Sequence, residues 1–254
     1  MLNIINRTKR YVIRKRPRVF QAYSIGAAKT GTTSIASMFY PSYNAAHEPE
    51  VERTTNLVIR SLEGTISDES LRSELKRRDN RLGLEIESAH PLGYLGSCLS
   101  ELFPDARFII TVRNPFDWIK SRLNFHHAIS PPQWQKYRSY FWQHDEESFP
   151  KEEQPLQEAG LAPLSVYLNQ YSDHYRRVLR EIPEERCLIV RTCDISNRSS
   201  EIAQFVGANP RKVESAHSKK AKKKVDFTAE VSTPYLKKKI EHHCKNVLDL
   251  IKTI

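Results

Sequence analysis

Short apolar runs alternate with segments of helical spacing along most of the chain. Four of these runs have the length and apolar content of buried strands: Phe20–Ile25, Leu82–Ile86, Phe108–Val112 and Leu188–Val190. The segments between them carry apolar residues three or four positions apart, which is typical of helices that pack on a sheet. This order predicts an α/β fold with a mostly parallel central sheet flanked by helices.

Three further stretches predict how the sheet is covered. RFIITVR is followed by Asn-Pro, which places Pro115 in the first turn of a helix that runs through WIKSRL. Residues 124–164 show no sustained periodicity and predict a long excursion over the sheet, of the kind that often covers an active site. The C-terminal segment predicts one amphipathic helix, whose apolar face holds Leu236, Ile240, Cys244, Val247, Leu248 and Ile251.

Composition agrees with one globular domain. The 254 residues are 39% hydrophobic and 28% charged, which is enough apolar material for one sizeable core. No repeat or low-complexity tract marks a linker between two domains. We therefore predict a basic N-terminal extension over residues 1–19 and a single domain over residues 20–254, in which residues 126–164 form an acceptor-side excursion.

The net charge of +10 indicates an anionic partner: nucleic acid, a membrane surface or a phosphorylated small molecule. The five lysines between Lys219 and Lys224 either bind an anion or form a solvated loop. Four cysteines without CxxC spacing are typical of reduced thiols and predict a cytoplasmic protein. No apolar run approaches the roughly 20 residues needed to span a bilayer, and no signal-peptide pattern is found at the N-terminus.

The strongest chemical signal is the stretch YSIGAAKTGTTSIASMF. An apolar strand ends at Gly26, and an amphipathic helix begins near Thr32. The glycines Gly26 and Gly31 allow backbone N–H groups to turn inward, and the helix N-terminus adds a partial positive charge. Lys29 adds a full charge at the same place. The pattern predicts a P-loop-like anion site, and the alternative is an ordinary strand-to-helix turn capped by threonine.

The position of the lysine separates this loop from that of nucleoside triphosphatases, which reads GxxxxGK[ST]. Here Thr32 follows Gly31, and Lys29 lies two residues before that glycine. A lysine inside the turn suits a terminal group whose charge stays on a bridging oxygen as its bond breaks, with no metal required.

Two motifs resemble those of sulfotransferases that use 3′-phosphoadenosine 5′-phosphosulfate (PAPS). GAAKTGTTS, over residues 26–34, is similar to the 5′-phosphosulfate loop (G)xxKxGT[TS] of that family. FIITVRNPFDWIKS is similar to the second family motif, in which an arginine ends a strand and a serine lies on the next helix. CLIVRTCDISNRSSEIAQFVGANP resembles a later strand and helix, with the acidic pair of the family reduced to Asp194. The resemblance covers roughly residues 20–125 and 185–210.

The resemblance implies transfer of a sulfuryl group from PAPS to a hydroxyl, with adenosine 3′,5′-bisphosphate as the product and no metal. It implies that Arg113 and Ser121 bind the 3′-phosphate, and that Lys29 stabilises the bridging oxygen as the sulfuryl group departs. The loop residues implied to bind the cofactor are Gly26, Ala27, Ala28, Lys29, Thr30, Gly31, Thr32, Thr33 and Ser34.

Three positions are candidates for the base that accepts the proton of the hydroxyl. SYNAAHEPE places His47 and Glu48 after a short predicted strand and resembles the Glu-Pro element of carbohydrate sulfotransferases, in which the glutamate is the base. His90 in ESAHPLGYLG resembles the base histidine of cytosolic sulfotransferases of phenols and steroids. The third position is Glu87 or Glu85 at the end of LGLEIES. We rank Glu48 first, His90 second and His47 third; the alternative for each is a structural role at a helix start or in the core.

The Glu-Pro resemblance favours a carbohydrate or glycolipid hydroxyl as the acceptor, and a phenolic or small hydroxylated metabolite is the alternative. Six aromatic residues are either sugar-stacking surfaces or core: Trp118, Trp134, Tyr137, Tyr140, Phe141 and Trp142. A P-loop kinase or nucleotide hydrolase and a basic nucleic-acid-binding protein are competing classes, and we expect no nucleic-acid partner. Peripheral contact with an anionic membrane and the oligomeric state stay open.

Overall fold

The computed structural model describes residues 17–40, 42–128, 131–143, 149–214 and 226–254. At its centre lies one parallel sheet of five strands, in the order β2 (Ala45–His47), β3 (Ile86–Ser88), β1 (Ala22–Ser24), β4 (Arg107–Val112) and β5 (Cys187–Arg191). The predicted α/β fold with a central parallel sheet is confirmed. Because β1 is the middle strand, the loop that leaves it lies between the chain segments that leave β3 and β4.

Helices surround this sheet. In chain order the described α-helices are α1 (Thr32–Phe39), α2 (Val51–Leu62), α3 (Asp68–Leu82), α4 (Gly96–Leu102), α5 (Pro115–Ala128), α6 (Gln135–Phe141), α7 (Gln154–Glu158), α8 (Leu164–Glu181), α9 (Ser199–Val206), α10 (Thr233–His243) and α11 (Lys245–Thr253). The predicted helix starts near Thr32 and at Pro115 are confirmed. Within the described ranges, no helix combines the length and the apolar character needed to cross a membrane.

Both faces of the sheet are buried at its centre, which explains the continuous apolar run Phe108–Ile110 of β4. On β4, Phe108 and Ile110 face one side and Ile109 faces the other, because side chains alternate along a strand. The first side packs against three buried tyrosines of α8, namely Tyr167, Tyr171 and Tyr175. The other side packs against apolar residues of α1 and α9.

Two predicted elements are wrong in their bounds. The sequence predicts a strand over Leu82–Ile86, but α3 continues to Leu82 and ends at Gly83, whose φ of 54° is left-handed; β3 begins only at Ile86. The single C-terminal helix is in fact two helices, α10 and α11. At Cys244 the backbone leaves the helical region (φ −115°, ψ 22°), and the fully buried side chain lies against the Leu168 carbonyl. The break turns the chain so that both helices pack on α8.

The predicted excursion over residues 126–164 consists of short helical segments in its described part. The buried carboxylate of Glu153 anchors it, because its oxygens accept hydrogen bonds from the Leu164 N–H and the Tyr235 hydroxyl, both at 2.7 Å. At the N-terminus, Arg18 forms an ion pair with Asp79. Residues 1–16 of the predicted extension and the lysine run at 219–224 lie outside the described residues.

Candidate active site

A cleft of about 1170 Å³ opens at the carboxyl ends of the strands. Residues that follow each of the five strands line it: Lys29 after β1, Glu48 after β2, His90 after β3, Arg113 after β4 and Thr192 after β5. In an open parallel sheet this edge is where ligands bind, because the loops that leave neighbouring strands converge there. The predicted site residues from distant parts of the sequence therefore share one cavity.

The loop between β1 and α1 is held close to β4. A Cβ atom at Gly26 would lie 2.1 Å from Thr111 Oγ1 and 2.5 Å from the Thr111 carbonyl oxygen, so only glycine fits. Gly31 adopts a left-handed φ of 99° directly before α1, and Lys29 has a φ of 70°, which costs a non-glycine residue about 1–3 kcal/mol. The surrounding structure thus imposes a turn that the local sequence would not adopt on its own.

Side chains from other elements fix this turn. The Trp118 indole donates a hydrogen bond to the Ala28 carbonyl at 2.8 Å, and the Thr192 hydroxyl donates to the Thr30 carbonyl at 2.7 Å. Thr30 itself is buried beneath the loop, where its hydroxyl lies 2.6 Å from the Ala27 carbonyl. Three of the predicted cofactor residues, Gly26, Ala27 and Thr30, therefore shape the loop from below, whereas the cleft is lined by Ala28, Lys29, Gly31, Thr32, Thr33 and Ser34.

The second predicted motif reaches the same cleft. Arg113 follows β4 directly, and both its backbone groups bond to the Tyr171 hydroxyl, which accepts from the Arg113 N–H at 3.1 Å and donates to the Arg113 carbonyl at 2.6 Å. Its guanidinium lies 3.5 Å from the Lys29 carbonyl. Ser121 on α5 also lines the cleft. The arginine and serine of the second motif are thus brought beside the loop of the first.

Two of the candidate bases form a pair. The Glu48 carboxylate lies 2.7 Å from Nδ1 of His90, and its other oxygen lies 3.8 Å from Nδ1 of His47. His47 turns its second nitrogen towards the loop, where Nε2 lies 3.0 Å from the Thr32 hydroxyl and 3.3 Å from the Thr33 hydroxyl. Glu48 is held with a left-handed φ of 49° directly after β2.

The surroundings of this pair set its charge. Burial raises the pKa of Glu48, but the hydrogen bond from His90 and the electrostatic influence of the two neighbouring imidazoles and of the Arg122 guanidinium outweigh it, so the pKa lies below the ordinary glutamate value. Burial lowers the pKa of His47. Near pH 7 Glu48 is therefore an anion that can accept a proton, and His47 is a neutral ring.

The third pair of base candidates is engaged elsewhere. The buried Glu87 carboxylate accepts two hydrogen bonds of 2.6 Å from Arg78, and the Glu85 carboxylate accepts from the backbone N–H groups of Asn44 at 2.8 Å and Val19 at 3.2 Å. Both glutamates are buried, and neither lines the cleft. Their positions indicate structural roles.

Residues 23–223 match the model of a sulfotransferase domain. The chain belongs to this sulfotransferase family. No curated protein matches the chain at a significant level. Among solved structures, a sulfotransferase from Alicyclobacillus acidocaldarius is 18% identical, with 90% of this chain and 96% of that chain covered and a TM-score of 0.47. The sulfotransferase domain from the curacin biosynthetic pathway is 15% identical, with 85% and 84% covered and a TM-score of 0.42.

The site of this sulfotransferase also contains two arginines that the sequence analysis did not select. Arg122 on α5 and Arg138 on α6 both line the cleft. The signal was present in the sequence, because Trp118, Arg122 and Phe125 follow one another at steps of four and three and so share a helix face. An arginine inside an aromatic helix face is unusual unless a ligand or a partner uses it.

The aromatic residues of the sulfotransferase divide into two groups. Trp118 is 2% exposed and stacks on Tyr171 with 3.9 Å between ring centroids, so it belongs to the core. Trp134 and Tyr137 line the cleft, where the Trp134 ring stacks on His90 at 5.1 Å and Tyr137 meets the same imidazole edge-on at 5.7 Å. Together they form an aromatic wall beside the Glu48–His90 pair, in which Trp134 is half-buried and Tyr137, at 4% exposure, also belongs to the core.

Proposed function

We propose that this sulfotransferase transfers a sulfuryl group from PAPS to a hydroxyl of a carbohydrate or glycolipid, and releases adenosine 3′,5′-bisphosphate. The observation that carries the proposal is the meeting, in one cleft, of the lysine-bearing loop, the Arg113 and Ser121 motif and an ionised carboxylate hydrogen-bonded to an imidazole. The alternative of a P-loop kinase or nucleotide hydrolase is less well supported, because the loop has Thr32 where those enzymes have a lysine after the glycine.

The donor set fits PAPS. Lys29, the hydroxyls of Thr32, Thr33 and Ser34, and the N-terminus of α1 would hold the 5′-phosphosulfate, and Arg113 with Ser121 would hold the 3′-phosphate. A volume of about 1170 Å³ accommodates a nucleotide and an acceptor together. PAPS supplies the sulfuryl group when it is bound. No metal is required, because the Lys29 ammonium supplies the positive charge at the leaving oxygen.

Residues of the chain would then accept the proton that the acceptor hydroxyl loses. Glu48 accepts the proton of the acceptor hydroxyl at its carboxylate, and His90 holds that carboxylate in position through Nδ1–H. His47 joins the loop hydroxyls rather than the acceptor, because its Nε2 bonds to Thr32 and Thr33. The assignment to Glu48 agrees with its side-chain exposure of 17%, against 10% for His90, whose ring is covered by Trp134.

The acceptor class is supported by the aromatic wall. The half-buried Trp134 offers a flat apolar surface beside the base, backed by the buried Tyr137, as in sites where a sugar ring stacks on an aromatic side chain. A phenolic or small hydroxylated metabolite is the alternative acceptor, since an aromatic ring stacks on the same wall. A cytoplasmic location stays a prediction from the cysteines, which are free thiols in the described structure.

Substitution of Arg113 tests the assignment of the 3′-phosphate. Arg113→Ala is expected to weaken binding of adenosine 3′,5′-bisphosphate by about 2–4 kcal/mol, because a charge-assisted contact is lost. The affinity for 5′-AMP, which lacks the 3′-phosphate, should change little. Isothermal titration calorimetry with both ligands measures the difference.

The matched control is Arg107→Ala, at the opposite end of the same strand. Arg107 bonds to the Glu185 carbonyl and does not line the cleft, so both affinities should stay within about twofold of the wild type. An equal loss of both ligands in Arg113→Ala would show that the arginine does not read the 3′-phosphate.

A further inference from the structure

Arg122 and Arg138 line the cleft, and each has a buried guanidinium nitrogen without a hydrogen-bond partner among the described residues. Arg122 is only 6% exposed, and its Nε has no hydrogen-bond partner in the part of the chain that the structure describes. One terminal guanidinium nitrogen of Arg138 is also buried and has no hydrogen-bond partner among the described residues. Within the described residues, neither side chain forms an ion pair with an acid, although arginines of this protein elsewhere do so readily.

Aromatic rings surround both groups instead. The Arg122 guanidinium lies 4.8 Å from the ring centroid of Trp142, and that of Arg138 lies 5.4 Å from the centroid of Phe125. The ammonium of Lys29 also lies over the Phe125 ring, at 4.6 Å. Cation–π contacts replace only part of the hydration that a buried charge loses. The two charges are therefore held in the cleft at a cost to the folded state.

Burial disfavours the positive charges of both groups. Burial lowers the pKa of Arg122 to about 10, and repulsion from Arg138 acts in the same direction. Burial also lowers the pKa of Arg138. Both groups nevertheless remain protonated near pH 7. An anion placed between them would relieve the repulsion and satisfy the unpaired N–H donors.

The position of the pair assigns it to the acceptor side of the cleft. Arg122 lines the cleft together with Glu48 and His90, and it shares a small adjoining pocket with His90 and Tyr137, so it lies on the side of the proposed base. Its charge is one of the causes that lower the pKa of Glu48. Arg138 follows Tyr137 on α6, the helix that completes the aromatic wall. The proposed donor-side groups come from the β1–α1 loop, from the end of β4 and, in Ser121, from α5 itself.

We infer that Arg122 and Arg138 form a subsite for an oxyanion carried by the acceptor, so that the substrate is a hydroxylated compound with a carboxylate, sulfate ester or phosphate ester, such as an acidic saccharide. The inference rests on the proposed function and deepens it. Guanidinium groups suit this task because their planar donors match the paired oxygens of these anions.

Binding of matched probes tests the subsite. The full chain, saturated with adenosine 3′,5′-bisphosphate, is titrated in a calorimeter with charged probes and their neutral counterparts. Methyl glucuronide is compared with methyl glucoside, and 4-hydroxybenzoate with 4-hydroxybenzamide. Glucose 6-sulfate and glucose 6-phosphate are each compared with glucose. At least one charged member should bind about tenfold or more tightly than its neutral counterpart, the scale of a charge-assisted contact. The pair with the largest ratio identifies the anion.

Two variants locate the preference. Arg122→Gln and Arg138→Gln should each bring the ratio of charged to neutral affinity to within about threefold, and the affinity for the bisphosphate should stay within about twofold. The matched control is Arg177→Gln, because the Arg177 guanidinium lies 4.3 Å over the Tyr94 ring but does not line the cleft. This control should keep the wild-type ratio.

A stability measurement separates a binding arginine from a structural one. Arg122→Met replaces an unpaired buried charge by an apolar side chain of similar length, so the Tm of the ligand-free protein should rise by about 2–4 °C. A fall of several degrees would show that Arg122 serves the fold and would contradict the inference.

Two results of the titrations would overturn the subsite. They are equal binding, or no binding, of the charged and neutral members by the wild type, and a preserved ratio in both glutamine variants. Failure of the bisphosphate itself to bind would instead reject the proposed function, so the two failures are distinguishable.

Discussion

Replacement of Glu48 by Gln is expected to lower kcat by about 10²- to 10⁴-fold, because the amide keeps the shape of the side chain but cannot accept a proton. The affinity for adenosine 3′,5′-bisphosphate should stay within about twofold, since Glu48 is proposed to contact the acceptor and not the nucleotide. Steady-state rates with saturating PAPS and acceptor, together with calorimetry of the product, measure the two effects separately.

His90→Asn is the companion variant. His90 donates to the Glu48 carboxylate at 2.7 Å, so its loss should cost only about tenfold in kcat through poorer positioning of the base. The reverse order, with His90→Asn more severe than Glu48→Gln, would assign proton transfer to the imidazole and Glu48 to its orientation.

The pH profile gives a second view of the same pair. The pKa of Glu48 lies below the ordinary glutamate value, and the active form is the carboxylate. The rate should therefore be constant between about pH 6 and 8 and fall only as the pH drops through that lowered pKa. If an ordinary imidazole were the base, the rate would instead fall as the pH drops through about 6.5, where the Glu48 carboxylate is still ionised.

Lys29→Met should lower kcat by about 10²-fold or more, because a preorganised positive charge at the leaving oxygen is removed. Methionine keeps the contact with the Phe125 ring and a Cβ at the same left-handed φ of 70°, so the loop should retain its shape. Binding of the desulfated product should suffer much less than turnover. Single-turnover kinetics and calorimetry measure the two quantities.

Lys237→Met serves as the control for Lys29. Lys237 is exposed on α10, where it faces Glu241 at 3.8 Å, and it does not line the cleft. The kcat of the Lys237→Met variant should lie within about twofold of the wild-type value. If Lys29→Met behaved in the same way, Lys29 would not take part in the reaction.

The part of the fold that could be predicted from the sequence is the part with local signals. Continuous apolar runs identify a buried parallel strand such as β4, and Pro115 marks the start of α5. The end of α3 was missed because Leu82 continues an apolar run while it completes a helix that Gly83 then terminates. The break at Cys244 was missed because helical spacing continues through it, and only packing on α8 requires the turn.

The site shows the same division. The motifs of Lys29, Arg113 and Ser121 and the sequence positions of Glu48 and His90 were enough to predict that these residues lie near one another, and their roles stay predictions. That Glu48 and His90 bond to each other could not, because their 42-residue separation is closed only by the pairing of β2 with β3. Glu87 and Glu85 carried the same local signal as Glu48, and only their partners Arg78 and Asn44 in the folded chain reveal a structural role.

Thermal stabilisation of the wild-type protein tests most directly whether the cleft binds a 3′-phosphoadenosine nucleotide, as proposed. Adenosine 3′,5′-bisphosphate at about 100 times its Kd should stabilise the folded state by about 2.7 kcal/mol, and so raise the Tm by about 5–10 °C without added metal. ATP with Mg²⁺ at the same concentration should give much less. A larger rise in Tm with ATP that depends on Mg²⁺, together with no rise with the bisphosphate, would contradict the assignment. That result would favour a P-loop kinase or nucleotide hydrolase instead.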